Sequence, residues 1–382
     1  MSPSAFNNGD GARIPVLDGI RGIAVLLVLA WHYVGAPGAA LCERLPVLGA
    51  FLSFGSSGVD LFFVLSGFLI CGILLDHKGA PNYFPTFYVR RMCRIFPLYF
   101  ALLAAYWACA TAQRTGMPEF ARFSWLFANP LPIWSYATFT QNIWMGLGGT
   151  FGPNWLGITW SLAVEEQFYL LMPLLVHWCS RRTLTFVLLA AVVSAPLLQW
   201  AWPGFHAYVC LPWRCESVVV GSLLALCYRD AAAMAFVRTT NWLWAAFAVF
   251  SAGVGVMVWD RSALGVFTHL WWACLYGCVL LLVLTRPTGA LSRAVQWPVF
   301  MRFGLLSYGC YMTHQLVNGV MHGLVRGAGP TIDTLTGVVV TAVALLVTLV
   351  LATLSHRYFE SPIVLLGKRF RYTPAVPASP QT

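Results

Sequence analysis

The chain has 382 residues, of which 59% are hydrophobic and 9% charged, against roughly 45–50% and 25% in an ordinary soluble domain. Apolar runs of about 20 residues recur along nearly the whole length, which excludes a soluble domain held by a single anchor. The formal net charge of +10 comes with no basic run interleaved with aromatics, so nucleic acid is not an expected partner and membrane topology accounts for the charge.

The pattern predicts an all-α, polytopic membrane protein of about ten transmembrane helices, near 17–34, 58–76, 95–113, 156–178, 183–201, 210–229, 241–259, 264–285, 300–325 and 335–358. Lysine and arginine collect in alternate loops, and positive charge is retained on the cytoplasmic side, so both termini are expected in the cytoplasm. The stretch between residues 113 and 155 is apolar but interrupted by Pro130 and Pro132. Counting it as a span would spoil the charge alternation, and it reads as an outer-face loop with interfacial or re-entrant pieces. Residues 1–12 are expected to be a flexible tail, 13–366 the membrane domain and 367–382 a cytoplasmic tail. Eleven cysteines fall mostly within apolar runs without the paired Cys/His spacing that holds zinc, so no metal is expected.

Ionisable residues inside hydrocarbon cost a few kcal/mol each, so each needs a partner, a wet cavity or a chemical role. In the first helix Arg21 and His32 are 11 residues apart, about three turns, and so share a face roughly 16 Å apart along the axis. Asp60 opens the second helix, where it is placed to orient the His32 imidazole, and Ser66 follows in "GVDLFFVLSGFLI". Arg90, Arg91 and Arg94 precede the third span in "YVRRMCRIFP". Such a cluster serves as a topology anchor or as a polyphosphate site, and the sequence alone does not separate the two. Glu165 and Glu166 are consecutive in the fourth helix, hence about 100° apart, so one of them faces any given site, and pairing with His32 or Arg214 or a role as base is expected. Arg214 and Glu216 are expected to satisfy each other or the helix-four glutamates. Tyr308, Tyr311 and His314 share one side of the ninth helix. His177, His206, His269 and His322 lack such company and read as structural or interfacial.

These motifs, in this order, resemble the membrane acyltransferase 3 family over roughly residues 14 to 365. Arg21 and His32 are similar to its basic-x10-His signature, and "GVDLFFVLSGFLI", "RRMCRIFP", "TWSLAVEEQFYLLMP", "SYGCYMTHQLV" and "HRYFESP" resemble its later motifs. The resemblance implies transfer of an acyl group, most often acetyl, from cytoplasmic acyl-CoA to a hydroxyl of an envelope or exported carbohydrate or lipid-linked glycan. It implies His32 as acyl-handling base or nucleophile, with Asp60 and Glu165 or Glu166 in the core. Arg21, Arg90, Arg91 and Arg94 then lie toward the donor. From the residues themselves, Ser66, Trp160, Ser161, Arg214, Tyr308, Tyr311 and His314 are expected to line the site, with helix packing the first role of Ser66. Acyl-CoA enters as substrate and no bound cofactor is implied. The implied location is the bacterial plasma (inner) membrane, with a glycan-assembly protein as a further partner. The appended esterase-like domain of some relatives is not expected in this chain. Two chemistries stay open, an acyl-histidine relay and direct transfer with His32 as base, and direct transfer is favoured because no acyl-histidine has to be protected from water. A proton-coupled transporter or flippase is the competing class, since buried Arg, His and carboxylates also build ion pathways.

Overall fold

The computed structural model describes residues 14–116, 118–239 and 241–373. The expected N-terminal tail, Arg13 and the part of the expected C-terminal tail beyond residue 373 lie outside the described residues. Among the described residues all regular structure is helical.

Among the described residues ten helices have 13 residues or more. They are α1 (Pro15–Ala30), α2 (Gly58–Asp76), α3 (Tyr83–Arg114), α4 (Thr159–Trp178) and α5 (Arg181–Ala201), followed by α6 (Glu216–Tyr228), α7 (Trp242–Trp259), α8 (Thr268–Thr285), α9 (Pro298–Arg326) and α10 (Leu335–Ser355). Seven helical runs among the described residues are long and apolar enough to cross a membrane, and an eighth arises if α6 and the helix Ala231–Thr239, bent by 96°, count as one span. The helices α4 and α9 are long enough, at 20 and 29 residues, but their polar motifs lower their apolarity. The stretch between α3 and α4 holds only short pieces, Pro118–Phe127, Ile133–Ala137 and Gln141–Gly148.

Two boundaries differ from the sequence expectation. The third helix begins at Tyr83 rather than near 95, so Arg90, Arg91 and Arg94 are carried on the helix instead of preceding it; Pro97 lies inside α3. The sixth begins at Glu216 rather than near 210, leaving Arg214 in a turn that precedes the helix. Pro212 supplies no N–H to a helix there, and the turn is closed by Trp213 N–H to the Cys210 carbonyl (3.2 Å) and Arg214 N–H to the Leu211 carbonyl (3.1 Å).

Helix α1 is continued by a π-helical turn, Trp31–Gly35, and α10 by a second one, His356–Glu360. Both fall within the motifs singled out in the sequence, and π-turns occur frequently at functional sites because the extra residue re-aims the side chains that follow.

Polar ties gather the ends of several helices at one face of the bundle. Arg229 at the end of α6 forks onto Asp76 at the end of α2 (2.7 and 2.6 Å). Arg181 at the start of α5 reaches the Leu226 carbonyl (2.6 Å), and Lys78 donates to the Cys179 carbonyl (2.6 Å). The N-terminal half of α3 lies at the same face, since Asn82 donates to the Arg371 carbonyl and Arg90 Nε to the Phe370 carbonyl (2.8 and 2.7 Å).

Glycines set the central crossings. A Cβ at Gly22 of α1 would lie 1.9 Å from the Phe300 carbonyl oxygen, and one at Gly304 of α9 would lie 1.9 Å from the Asp18 carbonyl oxygen. A Cβ at Gly67 would similarly meet the Val218 carbonyl oxygen of α6 at 1.9 Å. Such close approach lets backbones pack where lipid offers no hydrophobic drive for association. Burial separates inner from outer helices: the apolar window of the run ending in α2 is 72% buried and that of α1 61%, against 28% for α5 and 17% for α7. The outer helices carry exposed apolar side chains such as Phe186, Trp200 and Val249, the surface that lipid covers.

Candidate functional site

Helices α1, α2, α3, α4 and α9 enclose a cavity of about 110 Å³. Arg21 enters from α1, one turn after Asp18, to which its Nη1 donates at 3.2 Å. Ser66 enters from α2, and Arg91 and Arg94 enter from α3. From α4 come Ser161, Glu165 and Tyr169, spaced by four residues and therefore stacked on one stripe. Ser307, Tyr308 and Tyr311 close it from α9.

The cavity is cationic, with one carboxylate held in a fixed place. Glu165 accepts from the Ser66 hydroxyl (2.5 Å) and the Tyr169 hydroxyl (3.4 Å), so its oxygens are aimed by two neighbouring groups. Tyr308 is tied to the Ile95 carbonyl (2.6 Å), and Tyr311 shares a hydrogen bond with Ser161 (2.5 Å). Those bonds fix the aromatic walls on the backbone of α3 and the side chain of α4.

Not all of the expected residues meet there. Arg90 points away: its Nε donates to the Phe370 carbonyl (2.7 Å) and its guanidinium lies 5.3 Å from the Tyr372 ring centre. Glu166, about 100° round the helix from Glu165, does not line the cavity, and among the described residues its Oε1 is buried without a hydrogen-bond partner. His32 does not line it either. It sits on the π-turn with its ring 4.8 Å from that of His314, edge to face. Tyr311 joins the two places, since it lines the cavity while its ring centre is 5.8 Å from that of His314.

Asp60 is not the partner of His32. It accepts two bonds from Arg214 (2.7 and 3.0 Å) and one from Ser217 (2.6 Å), with His269 Nδ1 at 3.7 Å. The reason is length: Asp60 lies in the first turn of α2, and a carboxylate that short is saturated by the guanidinium the Pro212 turn delivers beside it. The Arg214 guanidinium is walled by Phe63, Trp160 and Tyr208, each with its ring centre within about 6 Å. Trp160 thus belongs to this ion-pair cluster. Arg214 does not bond Glu216 or the α4 glutamates; Glu216 instead accepts from Gln199 (2.5 Å). Neither Glu165 nor Glu166 bonds His32 or Arg214. His269, read from sequence as structural or interfacial, and Ser217 were missed as members of the cluster. The signal available for His269 was its place at the N-terminal turn of an apolar span.

The histidine tautomers follow from their bonds. His32 Nδ1 lies 2.9 Å from the Val28 carbonyl oxygen, and His314 Nδ1 lies 2.7 Å from the Tyr311 carbonyl oxygen. A carbonyl only accepts, so both Nδ1 atoms carry hydrogen and both Nε2 atoms are assigned a bare lone pair. Among the described residues no group of three or more His, Cys, Asp and Glu is arranged to hold a metal ion.

A multi-helix membrane domain with a buried arginine, carboxylate and histidine constellation defines the class of this molecule. The chain belongs to the membrane acyltransferase 3 family, residues 14–357 matching its acyltransferase domain. It is 25% identical over 381 aligned residues to the peptidoglycan O-acetyltransferase OatA of Listeria monocytogenes, covering 92% of this chain and 56% of the relative. It is 26% identical over 390 aligned residues to a Bacillus subtilis protein provisionally named as a peptidoglycan O-acetyltransferase, covering 93% and 56%. The chain thus spans a little over half the length of the curated relatives it matches. No solved structure matches it.

Proposed function

We propose that the chain is an integral membrane O-acetyltransferase that takes an acetyl group from cytoplasmic acetyl-CoA and delivers it to a hydroxyl of an envelope carbohydrate. The observation that carries this reading is the cavity in which Arg21, Arg91 and Arg94 face a Ser66-anchored Glu165. Guanidinium forks suit the phosphates of a CoA donor, which they bind bidentately. Counting α4, α9 and the bent pair as one pass each gives ten, an even number that leaves both termini on one side; we take that side as cytoplasmic from the alternation of lysine and arginine in the loops, with the arginine-bearing start of α3 toward the donor.

In the proposed reaction His32 Nε2 removes the proton of the acceptor hydroxyl, the oxygen attacks the thioester carbon, and the carbon–sulfur bond breaks to release CoA, whose sulfur takes up the proton. The acceptor is a peptidoglycan-type glycan or its lipid-linked precursor, in line with the names of the two relatives. The location is a bacterial plasma membrane, with a glycan-assembly protein presenting the acceptor.

The test is acetyl transfer from radiolabelled acetyl-CoA to membrane glycans in vesicles bearing wild type or His32→Ala at matched expression. Labelling by wild type and loss of about 100-fold or more in the variant is expected. Equal labelling removes His32 from the chemistry, and no labelling by either rejects acetyl-CoA as donor.

A further inference from the structure

Among the described residues the base proposed above has no carboxylate partner. Asp60 is saturated by Arg214 and Ser217, and Glu165 is held in the cavity by Ser66. A histidine that takes a proton becomes a cation, and in a low-dielectric interior that cation needs an acceptor for its new N–H.

His314 is the side chain in place to supply one. It is 0% exposed, its ring lies 4.8 Å from that of His32 with 65° between the planes, and its Nε2 is buried without a partner among the described residues. An orphaned buried acceptor costs free energy that a purely packing role does not recover. Both backbones are also fastened. Tyr33 donates to the His314 carbonyl (3.1 Å) and shares a bond with Thr348 of α10 (2.6 Å), and Asn318 of α9 reaches the His32 carbonyl (3.5 Å).

Resting on the reading of His32 as base, we infer that His314 is its positioning partner: the lone pair on His314 Nε2 takes one arm of a three-centre hydrogen bond from the Nε2–H that His32 acquires, the acceptor oxygen and then the CoA sulfur taking the other. The proton stays on His32 Nε2, which His314 steadies, until the departing CoA sulfur takes it, and nothing is oxidised or reduced. The groups facing the pair suit this. Titratable neighbours are Tyr33 on the π-turn and Cys310 and Tyr311 on α9. From α10 comes the Thr348 hydroxyl, from α2 Phe62 against Tyr311, and Pro46–Ser57, which packs on the π-turn, has no titratable side chain. Glu165 lies beyond Tyr311, across Ser161.

The experiment is acetyl transfer across pH by the full chain in vesicles, for wild type, His314→Phe, His314→Gln, His32→Ala and the double variant His32→Ala/His314→Gln. In His314→Phe, kcat should fall about 10- to 100-fold with KM for acetyl-CoA within about twofold. The acidic limb of the rate profile should move to lower pH, because protonated His32 has lost the acceptor that favoured it. His314→Gln, whose amide oxygen accepts a hydrogen bond, should recover part of the loss. In the His32→Ala background His314→Gln should cost nothing further. Wild-type kcat in His314→Phe, a loss with the limb unmoved, or an additive loss in the double variant each overturns the pairing. If His314→Phe does not reach the membrane folded, the limb of His314→Gln and the double-variant comparison decide the matter. Wild-type activity in His32→Ala instead overturns the base reading itself, an outcome separate from the failure of the pair.

Discussion

Replacing Asp60 by asparagine should destabilise the protein more than it impairs its chemistry. The substitution keeps shape and volume but removes the charge that two Arg214 bonds at 2.7 and 3.0 Å and one Ser217 bond at 2.6 Å converge on. The side chains of Arg214 and Asp60 are 1% and 2% exposed, so water cannot compensate the orphaned guanidinium. Breaking such a buried pair from one side costs about 3–5 kcal/mol, on the order of 5–10 °C in melting temperature for a chain of this size. Removing both charges with Asp60→Asn/Arg214→Met should restore most of that loss, because apolar replacement of a buried pair is often neutral. The assay is thermal unfolding in detergent, followed by size exclusion, with acetyl transfer measured per folded molecule. A melting temperature within a degree of wild type for Asp60→Asn, or a double variant no more stable than the single, would refute the structural role. A 100-fold loss of activity in fully folded Asp60→Asn would instead place Asp60 in the chemistry.

Glu165→Gln keeps an acceptor for Ser66 while removing the charge, so an essential carboxylate will show as a kcat loss of about 100-fold with KM for acetyl-CoA unchanged; wild-type kcat would remove it from the reaction. Arg94→Ala should raise KM for acetyl-CoA about 10-fold, the scale of one charge-assisted phosphate bond, and flatten its salt dependence; an unchanged KM places the phosphates elsewhere. Gly304→Ala sets a Cβ 1.9 Å from the Asp18 carbonyl oxygen, so α1 and α9 must part at a cost of about 1–3 kcal/mol. The same shift moves Arg21, which Asp18 anchors, and the measured result should be a lower melting temperature together with a raised KM; a change in neither would show that the crossing yields freely.

Much of the bundle was legible because a membrane span advertises itself over some 20 residues. The boundaries that were missed are those where local chemistry overrides apolarity: the Pro212 turn that leaves Arg214 outside α6, and the polar first turns of α3, which continue the helix below the apolar run. Within the site, residues sharing one helix face were readable from spacing alone. Ser161, Glu165 and Tyr169 stack at four-residue steps, and the 100° between Glu165 and Glu166 told that one of them would face away. Pairs made across the fold were not readable. Asp60 and Arg214 are 154 positions apart, and nothing in either local sequence says which of several buried partners a carboxylate will take.

The sorting of buried polar residues into three places assigns them different work. Asp60, Arg214 and Ser217 lock α2 to α6 and to the turn before it, with the two charges closed on one another and His269 of α8 beside them. Arg21, Arg91, Arg94 and Glu165 leave their charges turned into a cavity, where a ligand can use them. His32 and His314 present two lone pairs, and among the described residues His314 Nε2 has no donor. The proposed CoA donor, with phosphates at one end and a thioester at the other, needs cations and a base separated along one axis. Arg21 and His32 are so separated, because 11 residues of helix α1 and its π-turn stand between them and Tyr311 adjoins both the arginine cavity and the histidine pair. In the proposed reaction a helix carrying only one of the two would hold the donor without activating the acceptor, or activate an acceptor with no donor in reach.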